Sequence, residues 1–292
     1  MDVRQLQYVV AVADQGSFTR AAHALRVTQP SLSHGIRTLE TELGVELFTR
    51  LGRTIAITAA GQAVVDSARS VLLGMADVAA AAANVSSLGA GSIELVALPT
   101  LAVDPLAGLI GRFRVEHPGV SVRVHEPEDT DAVERSVRTG VAELGLTDIS
   151  TGGSGLVRVP LFRQEIVVVS PPGERVDGPT LTARQLVDLP LIVTPEGTST
   201  RRLLDRTLAR EARAPHLAVE LNHREAIVPL VLAGAGSALL PRRLAADAAQ
   251  RGAVIRSLQP ALSRRVGMLH RRGRLSPAAT AMLSLAVELL RT

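Results

Sequence analysis

From the N-terminus to Gly89 the apolar residues recur at helical spacing. Leu6, Val9, Val10 and Ala13 share one face of a helix that starts at Asp2, where Gln5 completes a capping box. Gly16 ends that helix, and Ser17 caps a second one with a buried stripe of Phe18, Ala21, Ala22 and Leu25. After a short turn over Arg26 to Thr28, Pro30 falls in the first turn of a third helix, where a missing N–H costs little. Leu32, Ile36, Leu39 and Leu43 point inward from it, and Gly44 stops it. ELFTRLGRTIAIT then alternates about a Gly52-Arg53 turn, the pattern of a two-stranded wing. From Thr58 a single stripe of Val64, Ala68, Val71, Met75, Val78, Ala82 and Val85 continues to Ser86, Ser87 and Gly89. About thirty residues at 1.5 Å each make a rod ~45 Å long. A small head cannot bury such a rod; packing along the C-terminal domain is one solution, and pairing with a second copy of the chain suits the unbroken stripe better.

Beyond Gly91 the pattern changes to short apolar strands, SIELVA, VSVRVHE and AELGLTD, with helical segments near 103–116 and 130–140. A second set follows in LPLIVT, HLAVELN and GSALLP, with helices near 199–211 and 224–234. This βαβ alternation predicts parallel sheets in two α/β lobes, with a ligand cleft at strand C-terminal ends. Thr100 follows the first strand, Thr147 ends the third, and Asn222 closes HLAVELN. Gly197, Thr198, Ser199 and Thr200 open a helix, and free N–H groups with a partial positive charge there favour a carboxylate or other anion. Ordinary capping explains Thr198 or Ser199 singly just as well. The effector expected from several converging strand ends is a small organic anion.

Composition narrows the function. A chain of 292 residues allows two or three domains and a sizeable core. Aromatic residues make up only 2%, so no set of stacking rings is available for single-stranded nucleic acid, and duplex binding stays open. All 32 basic residues are arginine and the net charge is only +4, so their placement matters more than their number. Arg264, Arg265, Arg271, Arg272 and Arg274 cluster late in the chain and read as a solvated strand end and loop. His125 with Glu126 and Glu128 reads likewise as a solvated loop, and the glycines around Ser154 read as a flexible connection. The absence of cysteine excludes disulfides, thiolate metal sites and cysteine nucleophiles. No histidine spacing suits a metal and no Ser/His/acid set stands out, so neither catalysis, metal nor cofactor is expected. The polar residues among the first apolar turns lack the run of a signal peptide or membrane span, which makes the cytoplasm the expected location.

The outward side of the third helix carries Gln29, Ser31, Ser33, His34 and Arg37, groups suited to base edges and phosphates in a major groove. Here a resemblance becomes specific. The run SFTRAAHALRVTQPSLSHGIRTLETELGVELFTRLGRTIAITAAG closely resembles the N-terminal domain of LysR-type transcriptional regulators. It matches the A-A-x-x-L of helix two, then T-Q-P-S, L-E-x-x-L-G, L-F-x-R and T-x-A-G in order. The resemblance implies a recognition helix with base or phosphate contacts at Gln29, Pro30, Ser31, Ser33, His34 and Arg37, and Arg50 and Arg53 on the wing. Gly35 departs from the pattern, since members often carry Gln there. The later region, best in VLAGAGSALLP, resembles the LysR-type effector domain, a relative of periplasmic solute-binding proteins. That likeness implies an inter-lobe pocket at Thr100, Thr147, Thr198, Ser199, Thr200 and Asn222, and a chain near 264–291 that returns to the first lobe. It also implies dimers through the linker helix, often in pairs.

The expected organisation is therefore α/β with a winged helix-turn-helix at 1–58, a linker helix at 59–88 and a two-lobed effector-binding domain at 91–292. The expected partners are double-stranded DNA with a partly palindromic operator, a small organic anion, and the chain itself as homodimer or homotetramer, with no membrane. The alternative, a solute-binding protein without a transcriptional role, would explain the lobes but not the head.

Overall fold

The computed structural model describes residues 1–51, 54–83, 91–150, 155–174 and 178–291. Three capped helices open the chain: α1 (Val3–Gln15), α2 (Phe18–Ala24) and α3 (Gln29–Leu43). Asp2 and Gln5 form the reciprocal capping box, Ser17 caps α2, and Thr28 caps α3 by accepting from the Ser31 amide. Gly16 and Gly44 end α1 and α3 in the left-handed conformation, which glycine adopts without a Cβ clash. Leu32, Ile36 and Leu39 are buried as expected, but Leu43 is exposed on the last turn of α3.

Strands β1 (Phe48–Leu51) and β2 (Thr54–Ile57) pair antiparallel as the wing. Glu40 holds the approach to it by accepting from the Leu47 and Phe48 amides, and Phe18 meets Phe48 edge to face at 5.9 Å. Helix α4 (Ala59–Ala83) begins where the Thr58 hydroxyl accepts from the Gly61 amide at 2.8 Å. A Cβ on Gly61 would lie 2.1 Å from the Leu47 carbonyl oxygen, so only glycine fits this crossing. Along α4, Val65 and Ala68 are buried against the head, whereas Val71 and Met75 are 49% and 48% exposed. The last residues of the expected linker, including Val85, lie outside the described residues.

The C-terminal region is built on one seven-stranded sheet. Strand β3 (Gly91–Ala97) lies parallel between β4 (Val120–His125) and β5 (Leu144–Asp148), flanked by α6 (Ala107–Glu116), which follows the short α5 (Pro99–Leu101), and α7 (Thr130–Arg138). The sequence suggested purely parallel sheets; the sheet is mixed. Two long strands, β6 (Leu156–Ser170) and β11 (Val254–Arg271), pair antiparallel along their length, and β11 also runs antiparallel to β5. Arginines, glutamine and prolines interrupt the apolar alternation of both strands, which hid them from a period-two reading.

These two strands carry the chain between the lobes. One end joins β5, and the other joins β7 (Thr180–Thr182) and β10 (Ala238–Pro241). The second lobe adds α8 (Ala183–Val187), β8 (Leu191–Val193), α9 (Ser199–Leu208), β9 (Leu217–Glu220), α10 (Ile227–Leu232) and α11 (Arg242–Gln250). Its apolar residues form cores on both faces of the sheet. The closing helix α12 (Pro277–Leu290) buries Ala279, Met282 and Ala286 in the core of the first lobe, so the chain does return there.

Candidate functional site

On α3 the structure separates two groups of residues that the sequence placed on one face. Pro30, Ser31, His34 and Arg37 are exposed. Ser33 is only 8% exposed, and its hydroxyl accepts from the Gln29 amide Nε2 at 3.1 Å. Ser33 therefore turns toward the head's interior, because residue 33 lies within one helical turn of the buried Leu32 and Ile36 stripe. Gln29 is exposed but engaged along its own helix. Gly35 has a packing reason: a Cβ there would come within 2.8 Å of the buried Tyr8 ring. The backbone of Arg50 lies on β1, while its side chain and the whole of Arg53 fall outside the described residues.

The cleft lies where β6 and β11 cross from one lobe to the other. Gln164 and Arg264 are register partners on that crossing. Arg264 is 2% exposed; its Nε donates to Gln164 Oε1 and its Nη2 to Thr100 Oγ1, both at 2.8 Å. No hydrogen bond among the described residues occupies Nη1. Burial pushes this guanidinium down to about 10, with Asp148 opposing the shift and Arg224 adding to it. It remains a cation at neutral pH. The sequence reading of Arg264 as solvated is thus wrong, because β11 continues through it into the sheet.

Arg264 lines one of two cavities near this crossing. The first, of about 270 Å³, is lined by Arg264, Ser199, Thr130, Asp148, Arg202 and Arg206 among others. The second, of about 250 Å³, lies on the far side of Thr100 and Thr200 and reaches Arg224. The Arg264–Thr100 hydrogen bond and the adjacent pair Ser199 and Thr200 join the two. The lobes touch across the same seam: the Ser199 amide donates to the Glu128 carbonyl at 2.9 Å, and Arg202 donates to Asp131 at 3.0 Å. The Glu128 carboxylate also sits against Arg224, yet the buried Nε and Nη2 of Arg224 have no aligned acceptor. The segment after β4, read from the sequence as a solvated loop, therefore forms part of the seam.

The sequence-nominated residues divide here. Thr100, Ser199 and Thr200 line the cavities. Thr147 is wholly buried and donates to the Thr130 hydroxyl at 3.2 Å, behind the wall rather than in it. Thr198 is consumed by capping, since its hydroxyl accepts from the Arg201 amide and donates to the Pro195 carbonyl. Asn222 is exposed and lines neither cavity. Arg264 was read as solvated, and Arg224, Arg202 and Arg206 were missed altogether, for no local motif marks an arginine whose partners lie in other elements.

Comparison with known proteins decides the family. Residues 3–62 match the bacterial regulatory helix-turn-helix protein, lysR family, and residues 86–291 match the LysR substrate binding domain. This chain belongs to the LysR family. Such LysR-type proteins are transcriptional regulators with a DNA-binding head and an effector-binding domain. The SDS degradation transcriptional activation protein of Pseudomonas sp. (strain ATCC 19151) is 32% identical, the match covering 98% of this chain and 96% of that one. A full-length OxyR variant from Pseudomonas aeruginosa superposes with a TM-score of 0.78 at 25% identity, covering 99% of this chain and 95% of that chain. CbnR complexed with its target DNA shares the fold, with a TM-score of 0.66 at 21% identity and 99% coverage of both chains. Nothing in these matches supports a solute-binding protein without a transcriptional role. Among the described residues no helix is long and apolar enough to cross a membrane.

Proposed function

We propose that this LysR-type regulator reads a partly palindromic operator with the exposed face of α3 and changes its oligomer geometry when a small anion enters the inter-lobe cleft. The observation that carries the effector reading is Arg264, a cation 2% exposed that lines the first cavity beside the N-terminus of α9. A fixed buried cation favours an anion, and the low local dielectric strengthens that attraction. Thr100, Ser199 and Thr200 supply further hydroxyls, with Thr147 and Thr198 holding the wall; Asn222 has no place at this cleft.

On the head, Pro30, Ser31, His34 and Arg37 are the proposed contacts, with Gln29 at the edge and Arg50 and Arg53 on the wing. Ser33 is withdrawn from that set. The proposed division is a head at 1–58, a linker at 59–88 and an effector domain at 91–292. Exposed Val71 and Met75 on α4 suit pairing with a second copy, which would set two reading helices on two half-sites. The protein acts by binding rather than catalysis, in the cytoplasm where its DNA lies, and without a cysteine it cannot respond through a thiol.

Titration of small organic acids into a mobility-shift assay on the chain's own upstream DNA tests the reading. A retarded complex that changes mobility or affinity with one class of acid is the expected result. Retardation that no acid alters, together with no acid-induced thermal shift of the protein, would remove the anion site. A ligand acts here only through unequal affinity for two states of the oligomer.

A further inference from the structure

The two cavities differ in chemistry, and the difference narrows the ligand. Polar and charged groups, Arg264, Arg202, Arg206, Thr130, Asp148 and Ser199, surround nearly all of the first. The second has walls of Val103, Ile227, Val228, Leu239, Leu240 and Leu244, with its charged groups, Arg224, Glu126 and Glu225, confined to part of the lining. Arg264 lines the first cavity and donates to Thr100, which lines the second together with Thr200 and with Arg224, whose Nη2 is ion-paired with Glu128. The Arg224 and Arg264 charges repel each other. An anion between them would offset that repulsion, while water in a mostly apolar chamber is readily displaced by hydrocarbon.

We propose that the effector is an amphipathic acid, with one anionic group between Arg264 and Arg224 and an apolar body in the second chamber. At water's ~30 Å³ per molecule, that chamber holds a body of about six to eight carbons. A small dianion or a phosphorylated sugar would leave the apolar walls unfilled. This inference rests on the anion reading above and adds the ligand's other half.

Calorimetry on the full-length protein tests it, with straight-chain carboxylates from acetate to decanoate and the matched alkanols as probes. Affinity is expected to rise about fourfold per methylene up to a chain of six to eight carbons and then to level off. Alkanols of equal length should bind about 30-fold more weakly, since they lack charge-assisted hydrogen bonds. Val228→Asn and Leu244→Gln, uncharged polar changes at partly exposed positions, should flatten the dependence of affinity on chain length. Acids that bind without gain from length would overturn the amphipathic class and leave the anion site standing. A length gain that survives both substitutions would place the body elsewhere and overturn it too. Alkanols that bind as well as acids would sink the anion reading itself, as would a panel in which nothing binds.

Discussion

On α3 Arg37 stands in solvent, with no ion pair among the described residues. In the cleft Arg264 is 2% exposed and fixed by Gln164 and Thr100. Under the proposed function the same side chain would serve two electrical purposes. An exposed guanidinium is mobile and screened by salt, which suits a long polyanion met at many points at once. A buried one is held in place and screened little, which suits one small anion in one geometry. The difference teaches that arginine content alone says nothing about function in this chain; burial does.

Salt should separate the two regions most. Operator affinity is expected to fall by about 10³-fold or more between 50 and 200 mM salt if the dimer makes on the order of six phosphate contacts. Acid affinity measured by calorimetry over the same range should change by less than about threefold. An equally steep fall for the acid would mean that the cleft is open to solvent.

Arg264→Leu comes next. It should weaken acid binding by about 100-fold, because a buried charge partner is lost, while operator affinity without acid stays within about threefold. Far-ultraviolet circular dichroism identifies a merely unfolded variant, and Arg264→Gln then repeats the test with a side chain that still hydrogen-bonds. Arg37→Ala should have the converse effect, a loss of about 10- to 100-fold in operator affinity by anisotropy with acid binding unchanged. Ser33→Ala should do least: about 1 kcal/mol of stability from the lost Gln29 hydrogen bond, and operator affinity within about threefold. A large loss of DNA binding there would return Ser33 to the reading face.

Much of the head was legible because its signals are local. The Asp2–Gln5 box, the Ser17 and Thr28 caps and the glycines at 16 and 44 each act within one turn of the helix they start or stop. Ser33 and Leu43 were misplaced because helical spacing gives a face only to within a residue or so, and the neighbours decide the rest. Gly35 looked like a missing contact until Tyr8 was found packed against it. In the cleft, Thr100, Ser199 and Thr200 were found from strand ends and a helix start. Arg264 was not, since the residues that bury and orient it lie 100 and 164 positions away.

By itself, then, the sequence determined the helical head, the capped starts and stops, the wing, the long apolar stripe after Thr58 and the two-lobed α/β plan. Periodicity, capping and turn chemistry are short-range effects that a linear string records. Only the tertiary structure decided that β6 and β11 cross antiparallel between the lobes, that Ser33 faces inward, and that Arg264 is buried against Gln164 and Thr100. Those outcomes depend on which distant groups exclude water from one another, and no local pattern of residues encodes that.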